Sequence, residues 1–208
     1  MKRKSDRRTR YTRAVIKQAF LEQLRKQSFS KLTVTAICKE ADITRATFYL
    51  HYTDIFAVLD EILNEALDLS ESSTPVKDLR ELLGQIAQEN DSPSFIKENY
   101  ALLPVCQRIA DNPQYQALFS DDTLGPYILQ YIVSHEKAHI IPFLQEQFHL
   151  DAMLAENLYL FLVSGSFTLN QHHKWKKDEA WFQIQSMLLR FIYFGSQALK
   201  NSKKNHRT

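Results

Sequence analysis

Glycine and proline are scarce: four and six in 208 residues. Turn-rich all-β folds need more of both. No stretch alternates apolar and polar residues as a half-buried strand does, which leaves helices as the expected element. Cysteine is scarcer still. Cys38 and Cys106 stand far apart with no Cys-x-x-Cys, so no disulfide framework is expected and a reducing cytoplasm fits. Cys38 falls where a small apolar residue is wanted and reads as packing. Residues 1–13 are basic, but the apolar segment of a signal peptide does not follow. No uninterrupted apolar run reaches the length of a membrane span, so no membrane partner is expected. A Ser-His-Asp order, a phosphate-cradling glycine loop and a nucleotide fingerprint are all missing. The chain therefore reads as a non-enzyme without a cofactor.

What is present is charge asymmetry. The net charge of +2 conceals a basic head and an acidic body. Residues 1–53 carry 13 Lys+Arg and 4 Asp+Glu, residues 54–199 carry 9 and 20, and the last nine residues carry 4 and none. A head at +9 on a body at −11 suggests a polyanion-binding module on a body kept off the polyanion.

The stretch 32–52, LTVTAICKEADITRATFYLHY, reads as two short helices joined by a tight turn. Thr33 is an N-cap, because its hydroxyl accepts from a free first-turn amide. Val34, Ile37, Cys38 and Ala41 repeat at helical spacing. Asp42 sits at the sharp turn and tolerates a left-handed backbone. Ile43 tucks under it, and Thr44 caps the second helix. Thr47 and Phe48 are its inward positions; Arg45, Ala46, Tyr49 and His51 are outward. A cation, a small apolar contact, a hydroxyl and an imidazole suit phosphates and base edges in a major groove.

Residues 12–59 resemble the N-terminal domain of the tetracycline-repressor (TetR) family. The marks are Thr12–Arg13–Ala14, Phe29, Leu32–Thr33–Val34, Ile37–Cys38–Lys39–Glu40–Ala41, Thr44–Arg45–Ala46–Thr47–Phe48–Tyr49, His51–Tyr52, Asp54 and Leu59. Two positions depart from the family: Asp42 replaces its usual Gly, and Ile55 replaces a Lys that often touches phosphate. The resemblance implies an all-α protein of about nine helices: a three-helix helix-turn-helix domain, then a helical regulatory and dimerisation domain. It implies DNA contacts from Thr33, Thr44, Arg45, Ala46, Thr47, Tyr49, His51, Tyr52 and, in the basic arm, Arg10. The implied function is a transcriptional repressor, cytoplasmic on the nucleoid. It would bind a double-stranded operator as a homodimer and be released by a small apolar or aromatic effector.

The expected division is 1–53 for the DNA-binding domain (helix-turn-helix 33–52), 54–75 for a connecting helix and loop, 76–200 for the body and 201–208 for a basic tail. Residues 1–10 are expected to be disordered when free. Helices are expected over 11–27, 54–69, 76–88, 95–110 (split near Pro104), 126–148 (interrupted by Pro142), 151–170 and 179–199. Polar breaks are expected at 70–75 and 89–93. The last two helices are strongly apolar. By the resemblance they meet their copies in a four-helix bundle through Leu158, Phe161, Leu162, Gly165, Trp181, Ile184, Leu188 and Phe191. Gly165 lies between Ser164 and Ser166, a small-residue notch that admits a neighbouring backbone.

One motif points elsewhere. His135–Glu136–Lys137–Ala138–His139 matches the HExxH of zinc proteases, two imidazoles one helical turn apart with Glu as general base. A third ligand is needed, and His149, Glu156, His172 and His173 are the downstream candidates. A zinc metalloprotease is therefore one alternative, and a TetR-like regulator acting through a protein partner is the other. Phe95, Tyr100, Tyr115, Phe119, Tyr127, Tyr131 and Phe143 are expected to line any effector pocket.

Overall fold

A computed structural model describes residues 2–68, 75–86 and 93–205, with side chains at 7–67, 80–85, 94–104 and 107–195. The described chain is all-helical. In order the helices are α1 (Lys2–Lys26), α2 (Val34–Glu40), α3 (Arg45–Tyr49), α4 (Ile55–Asp68), α5 (Pro75–Ile86), α6 (Pro93–Glu98), α7 (Val105–Arg108), α8 (Gln116–Ser120), α9 (Gly125–Phe148), α10 (Ala152–His172) and α11 (Glu179–Asn205). The loops expected at 70–75 and 89–93 fall mostly outside the described residues, as does the end of the basic tail.

The chain divides into two compact units, Met1–Leu69 with Ile109–Tyr131, and Ser70–Arg108 with Ile132–Thr208. The sequence reading did not foresee that 109–131 joins the N-terminal helices. In this first unit α1 buries Ile16, Ala19, Phe20, Leu21 and Leu24, and α4 buries Val58, Leu59, Ile62, Leu63 and Leu67. Hydrogen bonds tie in the 109–131 segment. The Phe29 N–H donates to Asp121 Oδ2 at 2.6 Å, and the Tyr127 hydroxyl donates to Asp60 Oδ1 at 2.5 Å. Helix α1 begins at Lys2 rather than Tyr11, so the arm expected to be disordered is helical. Its residues lack Pro and Gly, and Lys and Arg are good helix formers, so the helix anchored by the later apolar stripe extends toward the N-terminus.

Ion pairs brace α1 against α4. The Glu61 carboxylate accepts from Arg13 Nε and from Lys17 Nζ, both at 2.9 Å, and Lys17 also pairs with Glu65. Burial alone would raise the Glu61 pKa, but hydrogen bonds from Lys17 and Arg13 outweigh it and hold the carboxyl below its ordinary 4.5. Asp121 behaves alike: burial opposes ionisation, and the Thr123 hydroxyl and Phe29 N–H hold it below 3.8. Both groups bind protons less readily folded than unfolded. Their stabilisation is complete above the ordinary carboxylate range and is lost as pH falls through the folded values. Acid titration followed by circular dichroism should therefore show stability falling below about pH 4.5, and Glu61→Gln should flatten that limb. An acid limb unchanged in the variant would contradict the assignment.

The second unit packs two apolar clusters. Leu82, Phe95, Ile96, Leu103, Trp181 and Leu189 form one; Leu83, Phe143, Leu144, Phe148, Ala155 and Tyr159 form the other. Asn170 knots α10 to its neighbours with every hydrogen-bonding group in use. Its Nδ2 donates to Gln107 Oε1 at 2.6 Å and to the Ser166 carbonyl at 2.9 Å. Its Oδ1 accepts from Trp181 Nε1 at 2.9 Å and from Lys177 Nζ at 2.8 Å. Trp181, expected between two copies, is instead fully buried in this core. Its indole N–H has to find a partner once buried, and Asn170 supplies it.

The glycine shortage is met by other residues. Helices α2, α9 and α10 each end in a left-handed residue: Asp42 (φ 50°), His149 (φ 54°) and Lys174 (φ 50°). In each case the following N–H returns to the carbonyl five residues before it: Ile43 to Cys38, Leu150 to Gln145, and Trp175 to Asn170. Pro142 does not interrupt α9, which runs unbroken through it. Phe143, Leu144 and Phe148 beyond it are buried, and that burial offsets the lost backbone hydrogen bond. Pro104 does split the expected 95–110 helix, between a 3-10 turn at Tyr100–Leu102 and α7.

Candidate nucleic-acid interface

The turn between α2 and α3 is built from local chemistry. The Thr33 hydroxyl accepts from the Ala36 N–H at 3.1 Å, and Thr44 accepts from the Thr47 N–H at 3.1 Å. Each threonine thus satisfies an amide that the first turn leaves free. Between them the left-handed Asp42 reverses the chain. Ile37 and Cys38 of α2 and Phe48 of α3 point into the unit and are buried. With Phe48 fixed inward, helical spacing turns Arg45, Ala46 and Tyr49 outward, and all three are exposed.

Arg45 and Tyr49 form a pair one turn apart. The guanidinium carbon lies 5.8 Å from the ring centroid, and Nη2 is 3.4 Å from the Tyr49 hydroxyl. Thr33 and Thr44 are exposed, His51 is half-buried, and Arg10 is exposed on α1. Thr47 is half-buried, its hydroxyl 3.0 Å from that of Thr44. Tyr52 is a correction. It is only 4% exposed, packed against the Phe48 ring at 5.9 Å and under the Arg13 guanidinium at 5.2 Å. Burial pushes the Tyr52 hydroxyl pKa well up. It lies beyond the end of α3, where its N–H donates to the Phe48 carbonyl at 3.0 Å.

Leu50 was missed. It is 81% exposed and stands four residues after Ala46, so the same spacing could have found it. Ile55, where the resembled family carries Lys, is half-buried at the start of α4. Asp54 caps that helix, accepting from the Ala57 N–H at 2.9 Å. Several basic residues of the head are committed to ion pairs: Arg13, Lys17, Arg25 and Lys26, the last with Glu40 at 2.7 Å. Lys31, Lys39 and Arg45 are exposed near α2 and α3, and Arg7, Arg8 and Arg10 are exposed on α1.

The proposed face between copies sorts in two. Phe161 (68% exposed), Phe191 (70%) and Gly165 are on the surface, with Leu160, Met187 and Phe194 beside them in exposure. Leu158, Leu162, Ile184 and Leu188 are half-buried. Helix α10 is also long and apolar enough to cross a membrane.

The HExxH residues do not converge. His135 is half-buried with Nδ1 3.3 Å from Glu136 Oε1, while His139 is exposed. Among the described residues no three His, Cys, Asp or Glu side chains group as a metal site would need. Purified protein is expected to hold far less than one zinc per chain, and His135→Ala with His139→Ala should leave any DNA binding intact. Stoichiometric zinc that survives dialysis and vanishes in the double variant would overturn this expectation.

The aromatic pocket expected from the sequence is not where the space lies. Of the seven residues proposed, Phe143 alone lines a cavity of about 810 Å³ in the second unit, walled by α9, α10 and α11 with residues of α5 and α7. Tyr127 and Tyr131 instead bond Asp60 in the first unit.

No family model matches the chain, and no curated protein matches it.

Proposed function

We propose that the protein is a sequence-specific DNA-binding transcriptional repressor of the tetracycline-repressor type. It acts as a homodimer and is released from its operator by a small molecule held in the second unit. The observation that carries the reading is the capped turn of α2 and α3. It sets Arg45, Ala46 and Tyr49 outward on a short helix whose inner side is anchored by Phe48. The exposed lysines and arginines of the head supply affinity through counterion release, and the outward α3 residues supply discrimination.

The homodimer rests on the apolar surface of α10 and α11. Phe161, Met187, Phe191 and Phe194 are more than half exposed, a face that a monomer in water would leave unfilled. Helix α9 contributes residues to both units, so a ligand against its second half acts on an element the first unit also uses. Release requires that the ligand bind one arrangement of the heads better than the other.

Mobility-shift titration of purified protein on genomic fragments tests the reading. Retention that weakens steeply with salt supports it; no retention of any duplex at low salt contradicts it. The departure at Ile55 favours a second reading, a regulator acting through a protein partner. That reading predicts a folded dimer that retains no DNA.

A further inference from the structure

The cavity in the second unit has walls of unequal chemistry. Almost all of its lining is apolar, with Phe143 and Tyr159 among the walls. The hydroxyl of Tyr159 is already spent, donating to the Val133 carbonyl at 3.2 Å. Gln107 is likewise engaged, its Oε1 accepting from Asn170. Ser164, Ser166 and Thr168 of α10 add hydroxyls to the lining, and Glu136 and Gln185 add a carboxylate and an amide. Glu136 is buried, its side chain 10% exposed, with His135 Nδ1 facing it at 3.3 Å. Gln185 is 3% exposed, and its buried Nε2 makes no hydrogen bond to any described residue.

A carboxylate set in apolar walls attracts a cation and repels an anion, and low local polarity strengthens both effects. An unpartnered amide donor costs free energy unless an acceptor meets it, and Gln185 is among the residues that line the cavity. The geometry points to a specific occupant: a largely apolar, aromatic-sized organic amine or other cation, its charged group on Glu136 and a neutral oxygen acceptor, where present, on Gln185. The Glu of the HExxH motif is thereby a ligand anchor. His139 of the same motif is on the surface. The cavity is also lined by Phe161 and Phe191, the exposed residues of the face between copies. A second copy would close that side.

Ligand binding stands on the cavity itself; its effect on DNA rests on the regulator reading. Three probes share one aromatic body and differ in charge: naphthylmethylamine, naphthylmethanol and naphthoate. Calorimetric titration of the full-length protein should give the amine the tightest binding and naphthoate the weakest, with about a tenfold or greater gap. Glu136→Gln should erase the preference for the amine while leaving naphthylmethanol unchanged. Gln185→Met should weaken naphthylmethanol yet leave the unliganded protein at least as heat-stable, an opposition that a merely structural glutamine would not produce. Equal binding of amine and naphthoate by the parent protein overturns the proposal, and that comparison stands even if a variant fails to fold. Binding of none of the three also overturns it and means that the second copy's side chains fill the space. Binding of the amine without any change in DNA affinity keeps the site and removes its regulatory role. Failure to bind DNA at all removes the regulator reading and leaves the site.

Discussion

Arg45→Ala should weaken binding to the preferred duplex about ten- to hundredfold, equivalent to roughly 1–3 kcal/mol for a lost bidentate base contact. The loss should be concentrated at one base pair, so the variant tolerates substitutions there that the parent rejects. The side chain is exposed, so removing it leaves the core of the first unit untouched. Tyr49 lies beneath the guanidinium with its hydroxyl 3.4 Å from Nη2, which restricts the arginine before DNA arrives. Tyr49→Phe keeps the ring and removes the hydroxyl, and should cost less than Arg45→Ala. Titration of parent and variant against duplexes altered at single positions decides the matter. A uniform loss across all sequences would move Arg45 from reading a base to holding a phosphate.

Gly165→Leu should separate the dimer without unfolding the chain. A Cβ built at Gly165 meets nothing within 4 Å, and the residue is exposed. Within one chain the first carbon of a side chain therefore meets no clash. In a symmetric pair of α10 helices the notch occurs on both sides, so an overpacking cost of about 1–3 kcal/mol per site is incurred twice. The variant should stay helical and become partly monomeric at micromolar concentration. It should lose DNA affinity although its head is unaltered, because two linked heads make the second contact intramolecular. Gly165→Ala provides the contrast. Ala raises helix propensity by about 0.5–1 kcal/mol and adds only a methyl, so the unit should gain heat stability. Sedimentation velocity reads the outcome. A leucine variant as dimeric as the parent would place Gly165 outside the interface.

The head was legible because its signals are local. Thr33, Asp42, Thr44 and Phe48 each act on residues within a turn or two of themselves. Capping, left-handed tolerance and helical spacing placed them without knowledge of the rest. Tyr52 and Trp181 were misplaced for the opposite reason. An aromatic residue with a polar atom fits a surface or a core equally well until its partner is known, and those partners, Arg13 and Asn170, lie outside its own helix. The joining of 109–131 to the N-terminal helices depends on Asp121 and Tyr127 finding Phe29 and Asp60, contacts more than sixty residues apart in sequence. Pro142 marks a related limit. The proline signal for a break is local, and the burial of Phe143, Leu144 and Phe148 that overrides it is tertiary. The cavity left no periodic trace at all, since the same apolar residues would read as core had the space been filled.

The central claim is a dimer that reads DNA with two copies of α3. Binding-site selection from a pool of randomised duplexes tests it most directly. The enriched sequences should converge on an inverted repeat whose half-site centres lie about 34 Å apart, one turn of the double helix, or a whole multiple of that. Arg45→Ala should relax the same base pair in both halves. A pool that emerges as random as it entered, from protein that is folded and dimeric, would contradict the account.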